Sequence, residues 1–345
     1  MIETIYIESD LLEHPRARSV MKRLPRARVV SCDHYGEVFN PHAQDFRLQK
    51  ENPALLIARK RGRMVLPVPP GSGIGAEQDF YFSHLLNCPY DCRYCFLQGS
   101  YNSAGLVLFI NYEDFMTAVD ERIGELGVGE RACFFSGYDG DSLALDAVTG
   151  FAGEFLNFFE QRPRAWLELR TRSVNTAALL AREPIDNCVV AFSLSPPAVA
   201  DRLDIGAPPV RSRLKAMAAL ARAGWKLGAR LDPLLFHDGW EQGYQQLIHD
   251  LFACVPTSSL HSLSLGPLRF PPKVLEKMRR LHPTDPLLAA PTEEWLGARV
   301  TPRDIHEQMQ RFCVEALPAS LDKSRVFCWP ANEGVTSEEL PRLAV

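Results

Sequence analysis

The chain has 345 residues, 46% of them hydrophobic and 23% charged, which excludes a disordered or fibrous chain and leaves enough apolar residues for a sizeable core. The net charge of −4 and the pI of about 6.2 give no bulk electrostatic pull toward nucleic acid, so contact with DNA or RNA requires a local basic patch. No stretch approaches the ~20 apolar residues of a membrane span, and Met1–Ser9 lacks the basic-then-apolar pattern of a secretory signal. The chain is therefore read as cytoplasmic, with no membrane contact and with its nine cysteines mostly reduced.

In chain order, the first part carries short strand-like pieces, such as Thr4–Glu8 and Arg28–Ser31. Arg59–Arg63 (RKRGR) reads as a solvated turn. Val68–Gly75 (VPPGSGIG) reads as a loop, with Gly71, Gly73 and Gly75 as punctuation because no strand–turn–helix surrounds them. From about residue 80 the pattern alternates. Strands are predicted at Phe80–Leu86, Arg131–Phe135, Ala165–Arg170, Cys188–Leu194, Lys226–Asp232 and Ser262–Leu265. Helices are predicted at Tyr112–Leu126, Leu143–Gln161, Val174–Ala181, Arg211–Arg222, Glu241–Phe252 and Val274–Leu281. In Leu143–Gln161 the residues Leu145, Val148, Phe151, Phe155 and Phe158 recur at helical spacing and read as core. Six strand–helix units imply a parallel sheet with helices outside, too few for a closed eight-fold barrel. The expected fold is α/β, an open partial (β/α)6 barrel with a small N-terminal α/β extension. The expected divisions are residues 1–75 for the extension, 76–300 for the barrel and 301–345 for a C-terminal part. That last part holds a helix (Arg303–Leu317), a strand-like Arg325–Trp329 and a polar tail.

The segment that needs a chemical reason is Cys88-Pro89-Tyr90-Asp91-Cys92-Arg93-Tyr94-Cys95. Its C-x3-C-x2-C spacing lies just after the first strand of the α/β region, where a barrel places its active site. Three thiolates on one tight loop suit three irons of a 4Fe-4S cluster, whereas such clusters usually take four cysteines. The fourth iron stays open to chelate the amino and carboxylate groups of S-adenosylmethionine (SAM). Zinc also favours thiolates, but no second C-x2-C or H-x3-H accompanies the loop to complete a site. Cys133 supplies a fourth ligand only if folding brings it there. The other cysteines read as small buried apolar residues.

This spacing, with the βα pattern, resembles the radical SAM superfamily. The chain further resembles the spore photoproduct lyase family over nearly its whole length. The resemblance rests on Cys88–Gln98 (CPYDCRYCFLQ), Asp141–Thr149 (DSLALDAVT), Leu167–Ser173 (LELRTRS), Phe192–Ser195 (FSLS) and His237–Tyr244 (HDGWEQGY), with a weaker echo at Leu268–Pro272. It implies a radical SAM barrel and a DNA-repair lyase. A 5′-deoxyadenosyl radical takes hydrogen from a methylene-linked thymine dimer, the linking bond fragments, and a protein thiol returns a hydrogen. The lesion is flipped out of the duplex to reach the cluster, which is cheaper for a damaged base. The implied partners are damaged DNA, or another nucleic-acid or nucleoside substrate, and an electron donor such as flavodoxin or ferredoxin. By the same resemblance Cys88, Cys92 and Cys95 are the cluster ligands. Ser136, Gly137, Arg172, Ser193 and Ser195 are SAM contacts, each with an alternative as a strand-end cap or turn residue. Tyr94 matches a relay tyrosine. Asp238 reads as a helix cap with Glu241 in a capping box, and His237, at a strand end, is placed to meet substrate.

Two positions depart from the family pattern. The hydrogen-donating cysteine is replaced in Tyr138-Asp139-Gly140, and the tyrosine after the third cluster cysteine is Phe96, which has no O–H bond. Tyr138 is the candidate replacement donor, because phenols also give up hydrogen atoms. Cys133, inside the predicted strand, is not. Two alternatives stand beside the lyase: a radical SAM paralogue acting on a different nucleoside, RNA or small molecule, and a non-catalytic iron–sulfur or zinc protein that binds nucleic acid.

Overall fold

The computed structural model describes residues 2–39, 42, 44–69 and 72–329. Gly71 and the polar tail therefore lie outside the described residues. Six parallel strands form the barrel wall in sequential order: β1 (Gln78–Phe82), β2 (Ala132–Phe135), β3 (Ala165–Thr171), β4 (Cys188–Ser193), β5 (Lys226–Leu234) and β6 (Leu260–Pro267). Val65–Pro67 adds an antiparallel strand beside β1, and Val326–Cys328 a parallel one beside β6. The two edges do not pair with each other, so the half-barrel is open.

Side chains alternate across each strand, and the two faces differ in chemistry. The register Phe80–Phe134–Leu167–Cys188 faces the helices and belongs to the main apolar core. The alternate positions face the barrel interior and are largely polar. Glu168 and Arg230 are both fully buried there, with Arg230 Nη2 2.6 Å from Glu168 Oε2. Gly228 makes room for that guanidinium: a Cβ there would lie 2.7 Å from Arg230 Nη2 and 2.9 Å from the Ala191 Cβ. Cys133 is buried with Ile74, Phe135 and Val189 and does not line the cysteine cleft.

A second, five-stranded sheet flanks the barrel, in the order Arg28–Cys32, Thr4–Glu8, Leu55–Ala58, Leu106–Phe109 and Leu85–Leu86. The predicted strand Phe80–Leu86 is thus two strands in two sheets, with the chain crossing over at Ser83-His84. The predicted helix Leu143–Gln161 also divides, into Asp146–Thr149 and Phe151–Glu160, at Gly150 with φ +68°. Its apolar stripe serves two cores: Leu145 and Val148 pack on the flanking sheet's core, while Phe151 and Phe155 enter the barrel's. One straight helix cannot face both. The predicted helix Val174–Ala181 shortens to Ala177–Leu180. Asp238 does not cap the next helix. Trp240–Cys254 starts after Gly239, which has φ +74°, with no side-chain cap bond. In the basic run, Arg59 N donates to buried Glu8 at 3.0 Å and Arg61 pairs with it at 3.3 Å, while residues 61–63 are exposed as a turn requires.

Gly73 proves to be more than punctuation, since an added Cβ there would overlap the Asp79 carboxylate. Burial, with Glu168 and Glu77 as like charges, pushes the Asp79 carboxyl up to about 7, and its Oδ1 has no hydrogen-bond partner. A carboxyl whose folded pKa is raised favours folding while protonated. Its contribution is lost as pH rises from the unfolded value toward the folded one. Stability should therefore fall between about pH 4 and 7, by up to about 4 kcal/mol from this group. Asp79→Asn should flatten that slope, and thermal melts of both proteins at pH 5 and 8 check it.

Candidate active site

The cysteine loop is fastened at several points. Asn87, at φ +66°, turns the chain into it, and its Nδ2 donates to Ser103 O at 2.9 Å and Gly105 O at 2.7 Å. Asp91-Cys92 pairs antiparallel with Asp204-Ile205. Arg47, on the short helix Phe46–Glu51, grips both Asp91 oxygens at 2.9 and 2.8 Å, a bidentate pair. From the same helix Lys50 Nζ donates to Cys88 O at 2.5 Å.

Cys88, Cys92 and Cys95 line one cleft with Lys50, Asp141 and Arg172, around about 430 Å³ of free space. Burial raises all three thiols, Cys88 to about 12, so at neutral pH they hold their protons until a metal displaces them. Among the described residues, no three His, Cys, Asp or Glu side chains are grouped as one metal ion would need.

Arg172 also lines this cleft. Its Nη2 donates to the Tyr94 hydroxyl at 3.1 Å, and its buried Nε has no hydrogen-bond partner. The Tyr94 hydroxyl in turn donates to Asp204 Oδ1. Burial pushes the Asp204 carboxyl up, but Arg172 and Arg213 outweigh it and hold the group ionised, with Arg213 Nη2 2.6 Å from Oδ2. Asp141 orders the strand ends beneath: it accepts from Leu143 N (3.0 Å), Ala144 N (2.9 Å), Thr171 Oγ1 (2.6 Å) and Arg172 N (2.7 Å).

A second cavity, with about 620 Å³ of free space, opens inside the barrel at the strands' carboxyl ends, lined by Gly137, Tyr138, Arg170, Asp232 and Arg269 among others. Arg269 clamps Asp232 at 2.9 and 3.2 Å. The Tyr138 ring stacks on Tyr81 with centroids 4.3 Å apart and lies 5.7 Å from Phe96. Burial, then Asp139, pushes the Tyr138 phenol up to about 12, so it keeps its hydrogen at neutral pH. At Gly137 an added Cβ would sit 2.8 Å from Arg170 O, so only glycine lets these two strand ends approach.

The site residues expected from sequence therefore fall into three groups. The three cysteines, Arg172 and its partner Tyr94 share the first cleft, and Gly137 and Tyr138 the second cavity. Ser136, Ser193 and Ser195 are buried and line neither cavity. The Ser136 hydroxyl meets Ser142 Oγ at 2.8 Å and donates to Glu168 O at 3.0 Å. Ser193 O accepts from Arg213 at 3.1 Å, and Ser195 Oγ lies 3.5 Å from the Tyr94 hydroxyl. His237 also lines neither cavity; its Nδ1 is 2.8 Å from Leu235 O. In that segment Tyr244 does structural work, its buried hydroxyl accepting from Leu235 N at 2.7 Å. Sequence reasoning missed Lys50, Arg47 and Asp204. Asp91 was the available signal: a charged residue inside a buried cysteine loop requires a cationic partner.

The sequence model of a family described as spore photoproduct lyase matches residues 74–270. The spore photoproduct lyase of Bacillus subtilis (strain 168) is 23% identical over 273 residues, 76% of this chain and 76% of that protein. That of Geobacillus sp. (strain Y412MC61) is 28% identical over 169 residues, 48% of each. Among solved structures, a spore photoproduct lyase complexed with dinucleoside spore photoproduct has a TM-score of 0.76 at 18% identity, covering 95% of this chain and 98% of that one. A mutant of that lyase with bound AdoMet and the same dinucleoside has the same TM-score, identity and coverage.

Proposed function

The chain belongs to the spore photoproduct lyase family of radical SAM enzymes, and from that premise we propose that it is a radical SAM lyase acting on a pyrimidine lesion in DNA. The observation that carries the reading is the adjacency of two sites on one half-barrel. A cleft with three cysteines lies beside a cavity lined by Gly137 and Tyr138 at the strands' carboxyl ends. Cys88, Cys92 and Cys95 would hold a 4Fe-4S cluster. The donor set favours a cluster, whose irons each take a separate thiolate, over zinc, which wants a fourth ligand that the loop does not supply. When bound, the cluster and SAM supply one-electron reductive cleavage of the sulfonium, giving methionine and a 5′-deoxyadenosyl radical.

The chain's own residues do the rest. Arg172, whose buried Nε makes no hydrogen bond and lies 3.7 Å from Asp204 Oδ1, is a cation lining the cleft that would meet a SAM carboxylate. Gly137 lets its strand end close against Arg170, and Ser136, Ser193 and Ser195 order the neighbouring strand ends that would frame SAM. Tyr94 holds Arg172 through its hydroxyl. A flavodoxin- or ferredoxin-type donor supplies the electron, and the reaction belongs in the cytoplasm, where thiols stay reduced.

Tyr138 would return the hydrogen. Its phenol stands in the barrel cavity with its O–H intact, and donation to a thymine-methyl radical would leave a phenoxyl radical on the ring stacked against Tyr81. Tyr138→Phe should divert product toward unquenched adducts while SAM cleavage continues. Unchanged product partitioning removes the role.

The test of function is anaerobic reconstitution with iron and sulfide, reduction, and assay for 5′-deoxyadenosine with and without an oligonucleotide carrying the spore photoproduct. Lesion-dependent repair is the expected result. Deoxyadenosine without repair would favour the paralogue reading, which the phenylalanine at position 96 and the tyrosine at position 138 support. Bound zinc with no deoxyadenosine would overturn the proposal.

A further inference from the structure

One cation in the cysteine cleft comes from outside the barrel. Lys50 stands on the helix Phe46–Glu51, packed over the loop by the Arg47–Asp91 clamp, and lines the same cleft as all three cysteines. Its Nζ reaches Cys88 O at 2.5 Å, which holds the ammonium against the loop rather than in solvent. It is close enough to act on Cys88 and Cys95 electrostatically, against the larger effect of burial. The other charges facing the cleft are Arg172 and Asp141, and Asp91 behind the loop is already neutralised by Arg47. Among the described residues Lys50 bonds to a carbonyl and forms no direct ion pair; its more distant attraction to Asp91 is shared with the Arg47 clamp.

Reduction of a 4Fe-4S cluster from its 2+ to its 1+ state adds one electron, supplied by an external low-potential donor, and so adds one negative charge. Inside a low-dielectric cleft a nearby cation stabilises that added charge, and net charge around a cluster is among the terms that set its potential. We propose that Lys50 is a positioning residue of the cluster loop whose positive charge raises the cluster's reduction potential. The inference rests on the cluster reading above.

The test is an EPR-monitored redox titration of the reconstituted protein and of Lys50→Gln and Lys50→Arg, each with its iron and sulfide content measured. Glutamine keeps a donor for Cys88 O and loses the charge, whereas arginine keeps both. Lys50→Gln should hold a full cluster but show about a tenfold lower ratio of reduced to oxidised cluster at a fixed potential near the midpoint, a shift of ~59 mV for one electron. Lys50→Arg should titrate like the parent. An unchanged potential in Lys50→Gln overturns the inference, as does an equal shift in both variants, which would point to side-chain shape. Failure of Lys50→Gln to assemble a cluster also overturns it, because the role would then lie in building the loop. A parent protein with no 4Fe-4S signal would instead refute the cluster itself.

Discussion

Replacing any one of Cys88, Cys92 or Cys95 with alanine should abolish cluster assembly and reduce SAM cleavage to the level of the protein without iron. Each cysteine is the sole thiol for its iron if the loop supplies three, and among the described residues no other cysteine lines the cleft. The buried Cys133 does not line the cleft. The control is Cys133→Ala, which removes a buried thiol from an apolar cluster and should cost about 1 kcal/mol of stability while leaving iron content intact. Iron analysis, visible absorption and the deoxyadenosine assay, run on all four variants, separate the two behaviours. Full iron content in a loop variant would mean that the cysteines are structural.

The second large effect lies on stability. Glu168→Ala should destabilise the protein by about 3–5 kcal/mol, because it strands a buried charge. Glu168 accepts from Arg230 Nη2 at 2.6 Å and from Arg170 Nε at 2.9 Å, and Glu168 and Arg230 are both 0% exposed. Burial pushes the Glu168 carboxyl up, but Arg230 and then Arg170 outweigh it and hold the group below its ordinary range. The stabilisation is therefore present above the unfolded glutamate pKa and is lost as pH falls through the lower folded value. The loss in Glu168→Ala should be full at neutral pH and shrink in acid. Glu168→Leu combined with Arg230→Met, which removes both charges, should recover much of the stability. Denaturant melts of the single and double variants at neutral and acid pH test both statements. A double variant as weak as the single would show that the ion pair contributes more than mutual neutralisation.

The six barrel strands were legible because each is an apolar or alternating segment of strand length between stretches of helical periodicity, and they fold in the sequential parallel order that right-handed crossovers impose. The breaks were not. Leu85-Leu86 reads as the end of a strand, but it pairs with Leu106–Phe109 in a different sheet, and no local pattern says which sheet a two-residue strand will join. The helix 143–161 reads as continuous because its stripe keeps helical spacing, while its two halves pack on two cores.

The site divides in the same way. The C-x3-C-x2-C spacing, Tyr94 and Phe96 are readable directly, because a tight loop keeps residues close in space whatever the rest of the chain does. The partner of Asp91 is Arg47, 44 residues away, and that of Tyr94 is Asp204, 110 residues away. Those pairs exist only once the flanking helix and the barrel strands have packed. The sequence by itself therefore determined the chemistry that the loop can host. The tertiary structure decided which charges surround it, because charges surrounding a buried loop are brought together by packing between distant segments, which leaves no local spacing to read.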